Sequence, residues 1–157
     1  MTRTASDLMT APAITVGPQA RVAQIAGLLS RTRISAVPVC DAQGALLGMV
    51  SEGDLMRPFR ESARLRRDWW LGLLADGEGL SQDFLDYIRV DARTAADVMT
   101  APAITADETA TLPELAELMI RHGVKRVPIM RAGRIAGVVS RADLVRAIAA
   151  APATLVE

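Results

Sequence analysis

The sequence predicts an α/β fold of the α+β type, in which one β-α-β-β-α unit is built twice. The first observation is a repeat: residues 9–15 read Met-Thr-Ala-Pro-Ala-Ile-Thr and return unchanged as residues 99–105. The second is that apolar residues in each copy alternate between helical spacing and short continuous runs. A chain that contains one such segment twice is expected to form the same unit twice, packed through the two sheets about a pseudo-twofold axis.

The correspondence between the copies extends beyond this segment. Val37-Pro38-Val39 matches Val127-Pro128-Ile129, and Gly48-Met49-Val50-Ser51 matches Gly137-Val138-Val139-Ser140. The second copy is shorter only where Asp41-Ala42-Gln43-Gly44 faces Arg131-Ala132-Gly133, which is the position of a turn. A length change confined to a turn is typical of a structural repeat.

In the first copy, proline, glycine and apolar spacing place the elements. They are a strand over residues 14–16, a helix over 22–29, strands over 36–40 and 45–50, and a helix from Ser51. Gly17-Pro18 separates the first strand from the helix. In the second copy, the elements are a strand at Ile104, a helix over 112–119, strands over 127–130 and 134–139, and a helix over 144–148. Thr111 and Glu114 have the spacing of a capping box.

Four regions follow from the repeat. They are a first repeat at 5–57, a helical insertion at 58–92, a second repeat at 93–148 and a tail at 149–157. Each repeat is short enough for a separate core to be marginal, so the two are expected to pack as one body.

Composition excludes several classes of protein. Lys plus Arg equals Asp plus Glu at 18 each, so no overall field attracts nucleic acid or a membrane. The single cysteine and single histidine exclude an internal disulfide and a multi-histidine metal site. The sequence has neither a long apolar run nor an apolar leader, and it has no phosphate-binding loop or nucleophile elbow. We therefore expect a cytoplasmic protein without a catalytic set, a bound metal or a required cofactor.

These residues resemble a tandem pair of CBS domains (cystathionine β-synthase-type domains), of the bacterial kind with an Arg/Trp-rich insertion. The resemblance rests on Asp-apolar-Met-Thr-x-Pro, then apolar-Pro-apolar, then Gly-x-Val-Ser-x-x-Asp-Leu, found in order in both copies. It implies a disk-like homodimer that binds AMP, ADP, ATP or S-adenosylmethionine, with NAD as a further candidate, in clefts between the repeats. It also implies that binding regulates an attached or partner protein, here unknown.

Carried over by position, the resemblance implies a role for each of several residues. The adenine lies near Thr15, Val16, Thr105 and Ala106, and backbone at Val37-Pro38 and Val127-Pro128 lines the other side. Asp54 and Asp143 accept from ribose hydroxyls, and Ser51 and Ser140 contact ribose or phosphate. A second interpretation of both Ser-x-x-Asp sequences is a capping box at a helix start, which is compatible with phosphate binding.

The two clefts are expected to differ in charge. Lys125-Arg126 precedes the second proline, with His122 close by, whereas Ser35-Ala36 precedes the first. We therefore expect the cleft with Lys125, Arg126 and His122 to hold the more phosphorylated ligand. The alternatives are solvated loop charges at Lys125 and Arg126, and a helix-end cation at His122. Cys40, after a buried strand, is expected to serve packing.

The insertion contains Arg60, Arg64, Arg66 and Arg67, followed by Trp69-Trp70. We expect it to dock on the repeats, with one tryptophan reaching a neighbouring chain. Base stacking by these tryptophans is the alternative. Three functions are thus open: an adenosine-binding regulatory module, a dimerisation module without ligand, and a nucleic-acid-associated regulator. The two aspartates favour the first, and the neutral charge weighs against the third.

Overall fold

The computed structural model describes residues 3–61 and 93–150. The chain divides into two compact units. The first-repeat unit consists of Val16–Val39 and Gly48–Ala101, and the second-repeat unit consists of Met1–Thr15, Cys40–Leu47 and Pro102–Glu157. The opening segment of the chain therefore belongs to the unit that holds the second repeat.

Helices and short strands alternate through both repeats. In chain order the described elements are α1 (Ala5–Leu8), α2 (Val22–Thr32), β1 (Ala36–Cys40), β2 (Leu46–Ser51), α3 (Glu52–Glu61), α4 (Ala95–Val98), β3 (Ala106–Asp107), α5 (Leu112–His122), β4 (Arg126–Arg131), β5 (Arg134–Ser140) and α6 (Arg141–Ala150). None of these helices is long and apolar enough to cross a membrane.

The first-repeat unit holds most of the β1-β2 sheet, in which every residue of β1 is buried. Helix α2 buries Val22, Ile25 and Leu29, which share one face at a spacing of three and four residues. It packs against α3, and Arg33 ends it in the left-handed conformation.

The second-repeat unit has a three-stranded sheet of order β3-β4-β5. β3 runs parallel to β4, and β4 pairs antiparallel with β5 in a register that places Val127 opposite Val139. Helices α5 and α6 pack against each other and α6 also contacts β5. The buried core of this unit comprises Ala5, Leu112, Leu115, Met119, Val127, Ile129, Val139, Leu144 and Ala147.

The segment that opens each repeat is paired with the other repeat. Thr10 exchanges backbone hydrogen bonds of 3.0 and 3.1 Å with Val138 on β5, and Thr100 exchanges bonds of 2.8 and 3.0 Å with Met49 on β2. Helices α1 and α4 precede these pairs, each begun by a threonine whose N–H donates to an aspartate three residues later. We call residues 3–15 and 93–101 the exchanged segments.

Most predicted elements are confirmed, together with the α+β class. Within the described residues, the predicted helices and hairpin strands of both repeats are present with slightly different ends. Thr111 and Glu114 form the expected capping box with bonds of 2.9 and 3.4 Å. The packing of the two repeats through their sheets and the four domain boundaries stay predictions. The basic and tryptophan-containing part of the insertion, with Trp69 and Trp70, lies outside the described residues, as does the tail beyond residue 150.

The predicted first strand of each copy is wrong in its extent. Residues 14–16 form no strand, and Val16 makes a single parallel bridge to Val39. In the second copy the strand is Ala106–Asp107 rather than a strand at Ile104. The N–H of Glu108 continues that ladder by donating to the Met130 carbonyl at 3.1 Å. Its counterpart Pro18 has no N–H, so the first copy cannot extend the pairing.

Candidate functional site

A matching candidate site lies at the start of the helix that follows each hairpin. Ser51 precedes α3 and Ser140 precedes α6. The carboxylate oxygen Oδ2 accepts from the serine N–H, at 2.8 Å in Asp54 and at 2.7 Å in Asp143. In return the N–H of each aspartate donates to its serine Oγ at 3.2 Å. The capping interpretation is therefore confirmed in both copies.

The second carboxylate oxygen distinguishes the two sites. Asp54 Oδ1 accepts from Arg57 Nη2 at 2.6 Å and from the Thr100 hydroxyl at 3.1 Å. Asp143 Oδ1 accepts from Arg146, and it accepts from no threonine hydroxyl of residues 3–61 and 93–150. Both carboxylates are buried, with exposed fractions of 7% and 9%. Their desolvation is offset by these donors, as a buried charge requires.

The strand residues predicted to surround the adenine are placed in two groups. Val37, Pro38, Val127 and Pro128 are buried in β1 and β4. The Val16 N–H donates to the Pro38 carbonyl at 3.0 Å, and Ala106 lies opposite Ile129. In each unit the residue after the duplicated segment thus lies beside the apolar-Pro-apolar strand.

Thr15 and Thr105 are exposed at the ends of the duplicated segments. The side chains of Thr15 and Thr105 make no hydrogen bond to a described residue, so their hydroxyls stay candidates for ligand contact.

The basic residues of the second repeat lie next to Ser140. Arg126 is opposite Ser140 in the β4-β5 register, and the Lys125 carbonyl accepts from the N–H of Arg141, the first residue of α6, at 2.8 Å. In the first repeat the Ser35 carbonyl accepts from the N–H of Glu52 at 2.9 Å. The backbone arrangement is the same in both, but the second copy adds cationic side chains beside the helix start.

His122 and Arg121 are less closely associated with the site. Both lie in the last turn of α5, and Arg121 forms an exposed ion pair with Glu117 at 2.6 Å. His122 is exposed and forms no described hydrogen bond with Ser140 or Asp143. Its position suits the helix-end role, in which a cation interacts favourably with the helix dipole.

Sequence reasoning missed the three side chains that complete the aspartate networks. Arg57 and Arg146 each lie three residues after an aspartate on a helix, a spacing that predicts an ion pair. Thr100 is distant in sequence from Asp54, and no local pattern indicates that contact. The repeat itself gives no signal either, because Thr10 occupies the matching position.

Other reactive groups are few in the described part of the chain. Cys40 is buried, and burial together with the negative charge of Asp41 raises the pKa of its thiol, which suits a packing role. Residues 3–61 and 93–150 contain no group of three or more His, Cys, Asp or Glu side chains able to hold a metal ion.

The order of elements and the paired Ser-x-x-Asp sites define a class of tandem-repeat protein. The family model for the CBS domain matches residues 5–61 and 95–150. The chain therefore belongs to the CBS domain family, and it carries two copies of the domain.

Known proteins match most of the chain. An uncharacterized protein of Methanocaldococcus jannaschii is 29% identical over 132 residues, which cover 77% of each chain. Among solved structures, CBSX2 in complex with AMP is 24% identical with a TM-score of 0.68, covering 95% of this chain and 98% of that one. The CBS domain pair of protein MJ0100, in complex with 5′-methylthioadenosine and S-adenosyl-L-methionine, is 20% identical with a TM-score of 0.71, covering 96% and 98%. The two solved structures show a shared fold.

Proposed function

We propose that this protein is a regulatory module that binds an adenosine-containing ligand at the helix start following the hairpin. The observation that carries the proposal is a buried aspartate held at that helix start in a capping box. The capping box fixes the position of this carboxylate, so that a ligand must supply the hydrogen-bond donors. The vicinal hydroxyls of ribose are donors of this kind.

The surroundings of the aspartate suit the rest of a nucleotide. The N–H groups of a helix start favour a phosphate, and Lys125 and Arg126 beside Ser140 add cationic donors. Ala106, which is half-buried beside β4, offers a neutral surface for a base. Two solved structures of this fold hold adenosine compounds, AMP in one and 5′-methylthioadenosine with S-adenosyl-L-methionine in the other, which supports this class of ligand.

The ligand would regulate by changing the population of arrangements of the protein. A ligand shifts such an equilibrium only when it binds one arrangement more tightly than another. Because each exchanged segment joins one repeat to a strand of the other, occupancy of one site is linked along the chain to both repeats. The regulated partner would read this change, and no catalysis by the module itself is required.

Thermal unfolding with AMP, ADP, ATP, S-adenosylmethionine and NAD, each added separately, tests the proposal. A ligand present at about 100 times its Kd is expected to stabilise the fold by about 2.7 kcal/mol. A nucleoside-free phosphate compound such as pyrophosphate is the control and is expected to give a much smaller shift. Absence of a shift with all five compounds contradicts the proposal and favours a dimerisation module without ligand.

A further inference from the structure

We propose that each chain binds one nucleotide, at Asp143, and that Thr100 together with Arg57 keeps the matching site at Asp54 closed. This inference rests on the proposed function, and it concerns which of the two sites is open. It follows from how many donors each buried carboxylate already has.

Asp54 is saturated. Its Oδ2 accepts from the Ser51 N–H at 2.8 Å and the Ser51 hydroxyl at 3.1 Å. Its Oδ1 accepts from Arg57 at 2.6 Å and from Thr100 at 3.1 Å. A carboxylate offers about four acceptor positions, so none remains for a ribose hydroxyl.

Asp143 retains acceptor capacity. Its Oδ2 accepts from the Ser140 N–H and its Oδ1 accepts from Arg146. One acceptor position is therefore open on each oxygen. The 2′ and 3′ hydroxyls of a ribose are two adjacent donors, and they match two adjacent oxygens of one carboxylate.

The difference arises from one side chain in otherwise matching backbone. Thr100 and Thr10 are equivalent residues of the duplicated segment, and both pair through their backbone with the second hairpin strand. Of these two threonines, only Thr100 donates its hydroxyl to an aspartate within the described part of the chain. Thr100 thus fills an acceptor position on Asp54 that stays open on Asp143.

The charges of neighbouring side chains independently favour ligand binding at Asp143. Arg126 lies opposite Ser140, and Lys125 adjoins it in sequence. The matching positions in the first repeat are Ser35 and Ala36, which carry no charge. A ligand that bears both ribose and phosphate therefore finds its complementary groups together at Asp143.

Isothermal titration of the full chain with AMP and with ATP tests the inference. The wild type is expected to bind one nucleotide per chain, and Asp143→Asn is expected to weaken binding at least about tenfold, because charged acceptors are replaced by an amide. Thr100→Val removes the hydroxyl with little change of shape and frees one position on Asp54. It is expected to add a second, weaker site.

Thr10→Val is the matched control, because Thr10 has the same place in the repeat and donates to neither aspartate. It is expected to leave the stoichiometry at one. Circular dichroism and thermal unfolding of each variant verify the fold. If Asp143→Asn does not fold, the inference is still tested by the wild-type stoichiometry and by the comparison of Thr100→Val with Thr10→Val.

Two equivalent sites in the wild type, or wild-type affinity in a folded Asp143→Asn, would overturn the inference while leaving the proposed function in place. An unchanged stoichiometry in Thr100→Val would likewise overturn the role of Thr100. A wild type that binds neither nucleotide would overturn the proposed function itself, and the two failures are thereby distinguished.

Discussion

At the scale of single residues, the ends of α2 and α5 show how a repeat can keep a backbone shape while changing its side chain. Gly123 ends α5 with a φ of 62°, and Arg33 ends α2 with a φ of 56°. Glycine adopts this left-handed conformation without a steric penalty, whereas arginine does not. The first repeat therefore holds a residue under local strain at a position where the second does not.

We expect Arg33→Gly to stabilise the protein by about 0.5–1 kcal/mol. The substitution relieves backbone strain at the helix end, and this gain exceeds the additional backbone entropy that glycine loses on folding. Chemical denaturation monitored by circular dichroism measures the change. Gly123→Ala is the matched reverse substitution and is expected to destabilise by a similar amount. If Arg33→Gly is less stable than the wild type, the contacts of the arginine side chain stabilise the protein by more than the strained backbone destabilises it.

A second prediction concerns Arg126 and follows from its place opposite Ser140. We expect Arg126→Ala to weaken ATP binding about tenfold, as the loss of a charge-assisted hydrogen bond implies, and to weaken AMP binding less. Arg31→Ala removes the same charge from an exposed helix end of the first-repeat unit, and it is expected to leave both affinities unchanged. Equal affinities in Arg126→Ala and wild type would place Arg126 outside the site.

At the scale of elements, the exchanged segments fix two glycines of the hairpins. A Cβ on Gly48 would lie 2.7 Å from the Thr100 carbonyl oxygen, and one on Gly137 would lie 2.7 Å from the Thr10 carbonyl oxygen. Backbone atoms on both sides of these contacts are held by strand pairing and cannot easily move. The glycine of each Gly-x-Val-Ser sequence is thus required for close approach of two strands.

We therefore expect Gly48→Ala and Gly137→Ala each to destabilise the protein by about 1–3 kcal/mol, the usual range for overpacking. Urea denaturation gives the free energy of unfolding for each variant. Gly17→Ala is the control, because a Cβ at Gly17 meets nothing within 4 Å. A neutral Gly48→Ala or Gly137→Ala would mean that the exchanged segment does not pair at that strand.

The sequence predicts elements well where local signals agree. Apolar spacing on α2 and α5, the continuous apolar run of β1 and the capping residues at Thr111 and Ser140 all have local causes. The first strands were predicted less well because their extent depends on a partner strand: Glu108 can extend the ladder and Pro18 cannot.

The candidate site could likewise be predicted from the sequence only where its residues form short local patterns. The Ser-x-x-Asp boxes and the charge at Lys125-Arg126 are visible in sequence, since each is a short pattern. The contact of Thr100 with Asp54 depends on which strand the exchanged segment joins, and that is a property of the fold. The inequality of the two aspartates therefore becomes visible only with coordinates.

At the scale of the whole molecule, helices α5 and α6 of the second-repeat unit expose three large apolar side chains. Ile120 is 82% exposed, Val145 is 57% exposed, and Ile148 follows Val145 by three residues on the same face of α6. The matching positions of the first repeat hold Ser30 for Ile120 and Met56 for Val145. We propose that the surface of α6 at Val145 and Ile148 contributes to a homodimer.

Val145→Glu is expected to shift the protein towards monomer, because a charge would be buried without a partner in the contact. Sedimentation velocity over a range of concentrations measures the shift. Ser30→Glu places the same charge on α2 of the first repeat, at the exposed position that matches Ile120, and is expected to leave the association unchanged. A monomeric wild type, or a Val145→Glu variant that sediments as the wild type does, would contradict the proposal.

The exchanged segments have a consequence for how the chain could be divided. A cut within residues 62–92 would leave residues 3–15 on one fragment and the strands they pair with, in the second repeat, on the other. Neither fragment would hold a complete unit, yet the pair would hold both. We therefore expect fragment complementation, in which two separately produced fragments fold only after they are mixed.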